Sequence, residues 1–396
     1  MKRFLSLLLA LAMMFTLVAC GGGNGANSDG SDAGVPDTIK IGVMGTMTGE
    51  QALDGDNIKG AIALIQQELD ADGGLKVGDK TVKIEFVFGD SEAKPEQAVN
   101  VIQKFINQDQ VVAVLGPNNS SDCLSAYEVA QTAGVPCISN CATNVKVTQI
   151  GEYCFRSCFI DPFQGSKMAS FASEKLSAKT AAVLYNTGSD YSIGCAEAFQ
   201  EQAAAMGMEV VAVESYADGA TEFQSQLTNI AAKTPDVLFI PDYYSVIALV
   251  AQQANAAGVT ATMLGSDGWD SVLDVVTDAS LLEGSYYCSG YSTQDTSEAV
   301  QTFVSAYQEK YDASPNMFAA QGYDAAMIMC AALAKAEEQG LTAGTAEYMA
   351  AVIDALNATD MECVTGHVTY DEFNNPEKTA AIINITGGAA EFWGKY

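Results

Sequence analysis

Short apolar runs alternate with amphipathic stretches along most of the chain. Residues 39–43 read as a first strand, and the turn-rich loop 45–49 follows it. Ile58, Ala61, Ile62, Ile65 and Leu69 repeat at the spacing of a one-sided helix over 57–70. Val82, Ile84, Phe86 and Phe88 alternate as a strand. Pro95 then opens a helix in which Ala98, Val99, Ile102, Phe105 and Ile106 share a face. A buried run, 111–115, ends at Gly116-Pro117, and the polar turn 118–122 leads into a helical stretch carrying Leu124, Tyr127 and Ala130. That stretch stops at Gly134, a second buried run occupies 136–139, and another polar turn occupies 140–144. Repeated strand–helix units predict a parallel sheet covered by helices.

The alternation restarts further on. Strands are predicted over 180–185, 209–215, 236–240 and 262–264, interleaved with helices over 192–206, 222–233 and 246–257. The texture changes after Gly284, with one strand-like segment, 285–289, then helices over 298–310, 317–338 and near 345–356, and short strands over 367–370 and 379–385. This last part is too small to be a domain and must complete the others. The pattern therefore predicts an α/β protein of two lobes joined by several crossings, with a cleft between them.

Composition narrows the function. At 396 residues and 48 % hydrophobic content, the chain can bury a large core in two domains. A formal net charge of −30 argues against nucleic acid or anionic membrane surfaces as partners. One histidine, His367, argues against His-dependent catalysis and His-rich metal sites, and no metal or cofactor is expected. Lys2 and Arg3 precede an apolar stretch, 4–18, and Leu17-Val18-Ala19-Cys20 resembles a bacterial lipobox. That likeness implies a lipoprotein signal peptide, 1–19, a lipidated Cys20 and a tether outside the cytoplasmic membrane; an ordinary leader with an incidental cysteine is the alternative. Residues 20–37 then form the lipidated cysteine and a Gly/Ser/Asn-rich linker. No other run is expected to be long and apolar enough to span a bilayer. Nine further cysteines, an odd number with no C-x-x-C pair, imply at least one free thiol or an intermolecular bridge. Most read as small buried apolar residues, which suits a reducing habitat.

Ligands of parallel α/β sheets bind beyond the carboxyl ends of the strands. In the first lobe those ends carry hydroxyls and backbone N–H groups. Ser120 stands where the N-cap of a helix belongs, and Thr143 ends the neighbouring strand, so both can converge on a carboxylate. A capped helix with no ligand accounts for this stretch taken alone. The second lobe offers Tyr191, Asp242, Tyr243 and Asp267, which suit a cation against an aromatic wall. A zwitterion gripped by both lobes would hold them closed.

The opening IKIGVMGTMTG, the turn NNSS followed by CISNCATN, Phe155-Arg156-Ser157, Tyr243-Tyr244, Gly265-Ser266-Asp267-Gly268 and Gly322-Tyr323-Asp324-Ala325 carry a resemblance. From Thr38 to the C-terminus the chain resembles the periplasmic leucine/isoleucine/valine-binding proteins, receptors of branched-chain amino acid ABC transporters. The resemblance implies a two-lobed type I periplasmic binding protein fold. One lobe is expected to comprise 38–161 plus 291–368, the other 162–290 plus 369–396. It implies that Ser120 and Thr143 bind the α-carboxylate, with Cys141 contributing its backbone and Ala142 lying in the same ligand loop. Tyr243 and Asp267 match the groups that hold the ammonium, with Asp where type members have Glu, and Tyr191 matches a pocket aromatic. Asp54 departs from a tryptophan that packs on the ligand side chain, which makes a polar or cationic side chain plausible unless Asp54 is a solvated loop residue. Trp269 is a candidate to restore an apolar wall. Ser91 and Asn119 replace a family disulfide.

The expected function is that of an extracytoplasmic, membrane-anchored lipoprotein, monomeric, which binds a branched-chain or related amino acid and delivers it to ABC permease subunits. The alternative is a sensor component for a small amino acid-like or amide solute, working with a separate membrane partner. An enzyme is not expected, because Ser120 has no plausible general base and Gly42, Gly45 and Gly49 lack dinucleotide-fingerprint spacing.

Overall fold

The structure, a computed structural model, describes residues 38–396; the leader 1–19, the lipidation site Cys20 and the linker 20–37 lie outside the described residues. The first lobe begins with β1 (Thr38–Gly45), α1 (Ala52–Ala71), β2 (Leu75–Val77), β3 (Lys80–Asp90), α2 (Pro95–Lys104) and β4 (Ala113–Leu115). It continues through α3 (Ser120–Ala133), β5 (Cys137–Ser139), α4 (Lys146–Gln149) and β6 (Cys154–Arg156). The second lobe runs α5 (Asp161–Glu174), β7 (Thr180–Asn186), α6 (Asp190–Ala205), β8 (Glu209–Tyr216), α7 (Gln224–Ala231), β9 (Val237–Ile240), α8 (Tyr244–Ala257), β10 (Thr262–Gly265), α9 (Val272–Val275) and β11 (Tyr286–Ser289). The chain then supplies α10 (Glu298–Tyr311), α11 (Met317–Glu337), α12 (Ala346–Asn357) and the hairpin β12 (Asp360–Cys363) and β13 (Gly366–Thr369), before β14 (Ala381–Thr386) and β15 (Ala389–Lys395).

Among the described residues the strands form a six-stranded sheet, β2-β3-β1-β4-β5-β6, and a seven-stranded sheet, β15-β14-β11-β10-β9-β7-β8, besides the small hairpin. Neither large sheet is wholly parallel: β2 runs antiparallel to β3, and β14 and β15 close the second sheet antiparallel. The central strands are parallel and apolar on both faces, as strands covered by helices must be. Ile41 and Val43 on β1 and Val183 on β7 are fully buried, each worth roughly 1.5–3 kcal/mol relative to exposure.

The late helices join the first lobe. Residues of α1, α10, α11 and α12 share one apolar cluster with β1, β3 and β4. The second sheet carries a cluster on each face. Helix α11 corrects one expectation: Met317–Glu337 is long and apolar enough to cross a membrane, with a mean hydropathy of 1.3. Its apolar residues are instead packed in the core of the first lobe.

Seven elements escape the sequence pattern: β2, α4, β6, α5, α9, β12 and β15. The strand β6 is three residues long, too short to show alternation. The inner face of α5 mixes Asp161 and Gln164 with Gly165, Met168, Ala169 and Phe171, so no apolar stripe marks it.

Candidate functional site

Gly116 sets up the first wall of the cleft. Its φ of +80° lets β4 turn beneath the Met44 carbonyl, where a Cβ would sit 2.0 Å from that oxygen. The turn aims Asn118 and Asn119 at α3. The N-cap residue is Asn119, not Ser120 as expected, and its side chain makes no capping bond. Asn119 accepts from Asn118 Nδ2 at 2.7 Å and donates to Gln51 Oε1 at 2.7 Å instead. Ser120 is the first helical residue, and its Oγ accepts from the backbone N of Asn144 at 3.2 Å. The helix start therefore keeps first-turn N–H groups free of any side-chain cap, with a hydroxyl beside them.

Arg156 shapes the loop 141–144. Its guanidinium is fully buried, donating to Ala142 O at 2.7 Å, Asn144 O at 2.8 Å and Thr148 Oγ1 at 3.3 Å. The loop carbonyls are thereby turned toward a positive charge inside the lobe. Ala142 also gives its N–H to Ser139 Oγ, so both of its polar backbone groups are held by the protein and its methyl packs in the core. Ala142 is a frame for its neighbours. Cys141 and Thr143, on either side of it, are buried at the cleft.

The second wall is built on Asp267, in the short turn Asp267–Trp269 after β10. Its backbone N–H donates to Gln164 Oε1 at 3.0 Å. Tyr191 shares a 2.6 Å hydrogen bond with Ser266 and accepts from the N–H of Gly268, which fixes the turn. The Tyr191 and Tyr243 rings lie 5.1 Å apart and form an aromatic wall. Burial pushes the Asp267 carboxyl up to about 6, against the lowering effect of Tyr191 and Gln164. Asp242 is likewise raised to about 6 by burial, but its oxygens serve the protein, accepting from Tyr216 and from the N–H of Tyr243. Trp269 does not form a pocket wall. Its Nε1 donates to Ile240 O at 2.8 Å and its ring lies over Gly265, where a Cβ would approach the indole to 2.3 Å. The turn directs the indole into the second lobe's core.

Gln164 on α5 joins the two walls: its Nε2 donates to Thr143 Oγ1 at 3.3 Å while its Oε1 receives Asp267 N. The sequence reading missed it. The one available signal was Asp161-Pro162, a helix start directly after the Phe155-Arg156 segment. Asp161 is also buried, raised to about 7 by burial and held near Thr143 and Cys195.

The lobes are closed on one another. Asp190 at the start of α6 accepts from Ser121 Oγ at 2.9 Å and, through its carbonyl, from Asn144 Nδ2 at 2.9 Å. Leu53 packs against the second lobe's core, and Asp270 accepts from the N–H of Met317 at the start of α11. Asp54 is not a solvated loop residue: it sits in the first turn of α1, wholly buried, with neither carboxylate oxygen hydrogen-bonded. Burial, then Asp270 and Asp267, push its carboxyl well above the usual range. A cavity of about 700 Å³ opens at the cleft, lined by Gln51, Asn119, Ser121, Asp122, Asp242 and Tyr243 among others; Asp54, Ser120 and Asp267 are buried and do not line it.

His367 lies exposed on the β12–β13 hairpin, between Asp360 at 3.0 Å and Glu362 at 2.8 Å. All nine described cysteines are free and buried. Among the described residues no group of His, Cys, Asp or Glu is placed to hold a metal ion.

Known proteins place this architecture. An "Amino acid binding protein" of Pseudomonas aeruginosa is 31 % identical over 255 residues, covering 64 % of this chain and 65 % of that relative, just short of two thirds of its length. A "Leucine-, isoleucine-, valine-, threonine-, and alanine-binding protein" of the same organism is 26 % identical, covering 85 % of this chain and 86 % of its own. The branched-chain amino acid transporter substrate-binding protein of Streptococcus pneumoniae, solved in complex with isoleucine, superposes with a TM-score of 0.82 at 32 % identity, over 91 % of this chain and 99 % of that one. The profile described as "Periplasmic binding protein" matches residues 38–389, nearly everything the structure describes. The chain belongs to the periplasmic binding protein family, whose members bind solutes and are not enzymes.

Proposed function

We propose that this chain is the extracytoplasmic receptor of an ABC transporter and binds a free amino acid in the cleft between its lobes. The α-carboxylate is taken by the start of α3 with Ser120, by Thr143 and by the backbone of Cys141. The α-ammonium is taken by Asp267, against Tyr243 and Tyr191. One observation carries this reading: a single side-chain amide, that of Gln164, touches both Thr143 and Asp267. That amide ties the loop carrying Thr143 to the turn carrying Asp267, which supports one ligand reaching both. The relatives named for amino acids support the same ligand class. The reading includes delivery to a permease, a monomeric receptor and a tether through Cys20, outside the described residues.

Calorimetric titration of the purified, ligand-stripped chain against the common amino acids tests it. Micromolar or tighter binding of at least one, without turnover, is the expected result. Absence of binding to every amino acid would overturn it. Cys20→Ala should release the chain from the membrane fraction of cells that process it; a protein still retained there would remove the anchor from the reading.

A further inference from the structure

Asp54 is a buried group at the cleft that the amino-acid reading leaves without a task. Of its two acidic neighbours, Asp267 is given to the ammonium in that reading, and Asp270 receives the N–H groups of Met317 and Ser271 at 2.8 and 2.9 Å. Asp54 has no donor on either oxygen, although it is 0 % exposed. Its charge is felt on both walls. Cys141, on the carboxylate-binding loop, senses Asp267, Asp54 and Asp270 together; Tyr243, on the opposite wall, senses Asp242, Asp267, Asp122 and Asp54. Tyr244 at the start of α8 lies against the backbone of Leu53 and Asp54. The side chain is wholly buried in the first turn of α1, and the charges named as acting on it, Asp270 and Asp267, are both negative.

A zwitterion brings one cation for Asp267 and nothing for Asp54. An aliphatic side chain laid against Asp54 would leave a buried carboxyl without a partner, which a binding site penalises heavily. A second cationic group would give it a partner and offset the burial and like charge that keep its carboxyl raised. We propose that Asp54 is the counter-ion for the ligand's side chain, so that the chain selects a basic amino acid, diamino or guanidino, over leucine, isoleucine and valine. This rests on the amino-acid reading above and deepens it.

The test is calorimetry of the purified, ligand-stripped chain with lysine, ornithine, arginine, glutamine and leucine, repeated for Asp54→Asn and Asp54→Leu. The proposal expects a basic amino acid to bind at least about 100-fold more tightly than leucine. That preference should shrink to within about tenfold in Asp54→Asn and turn toward leucine in Asp54→Leu. Burial, then Asp270 and Asp267, raise the Asp54 carboxyl well above the usual range, so the arrival of a cationic side chain near neutral pH should be accompanied by proton release from it. Buffers of different ionisation enthalpy read this release, and Asp54→Asn should lose it. Leucine or glutamine binding as tightly as the basic amino acids, or an unchanged preference in Asp54→Asn, overturns the assignment while the amino-acid reading stands. If no amino acid binds, the amino-acid reading itself fails, and this assignment with it. Thermal unfolding of both variants within a few degrees of the parent keeps the comparison free of folding defects.

Discussion

Arg156 shows how one residue sets a site it does not line. Its buried charge is balanced by carbonyls, not by a carboxylate, and these carbonyls belong to the loop 141–144, where the proposed ligand is held. Replacing it with lysine keeps the charge but loses the fork that spans Ala142 and Asn144. Arg156→Lys should therefore cost about 1–3 kcal/mol of stability by denaturant titration, and weaken ligand binding by loosening Thr143. Stability and affinity both unchanged would remove Arg156 from this role. Asp267 makes the sharper prediction. Its carboxyl is raised to about 6, and an ammonium needs it ionised. Affinity should be flat above pH 7 and fall about tenfold per pH unit below 6. Asp267→Asn should weaken binding by roughly 10- to 100-fold, the worth of a charge-assisted hydrogen bond, and abolish that pH dependence. A ligand affinity indifferent to pH between 5 and 7 would place the ammonium elsewhere.

At the scale of elements, the strands and helices that bury apolar faces were legible because their periods survive in the residues. The helix α1 shows its stripe through Ile58, Ile62 and Ile65, and β3 alternates through Val82 and Ile84. Helix α5 was not legible, since its inner face carries the polar residues that connect the two walls. The start of α3 was read one residue late because Asn119 and Ser120 are both good caps; only the long-range partner, Asn144, separates them. Trp269 misled for a related reason: a residue in a three-residue turn has no period to show which way it points. The cysteines were read correctly as apolar packing. Burial drives their thiols up, Cys158 and Cys330 to about 12 among them. The described thiols should thus resist a disulfide reagent in the native chain and react together on unfolding; fast modification of several in the native state would contradict this burial.

The whole molecule carries an unusual load of buried acid. Burial raises Asp122 and Asp161 to about 7 and Asp242, Asp267 and Asp270 to about 6. In the unfolded chain such groups titrate near about 4. Between those values the folded state holds protons that the unfolded chain has released, so their contribution to stability is present on the acid side and lost as pH rises through 6 to 7. The formal charge of −30 adds self-repulsion in the same direction. The ligand-free protein should melt at a higher temperature at pH 5 than at pH 8, and a flat or opposite trend would mean that these carboxyls are better solvated than their burial suggests. Asp90, Asp236, Asp278 and Asp295, whose carboxyls are lowered, work against this only at more acid pH. The placement of the two tryptophans has an optical consequence. Trp269 is sealed two residues from Asp267, stacked near Tyr287, while Trp393 is 44 % exposed on β15. An aqueous quencher such as iodide should silence the outer indole and spare the inner one. The remaining emission then comes from Trp269 alone, in the turn that carries Asp267, so that a change in that turn on ligand binding can be timed by stopped flow without attaching a dye.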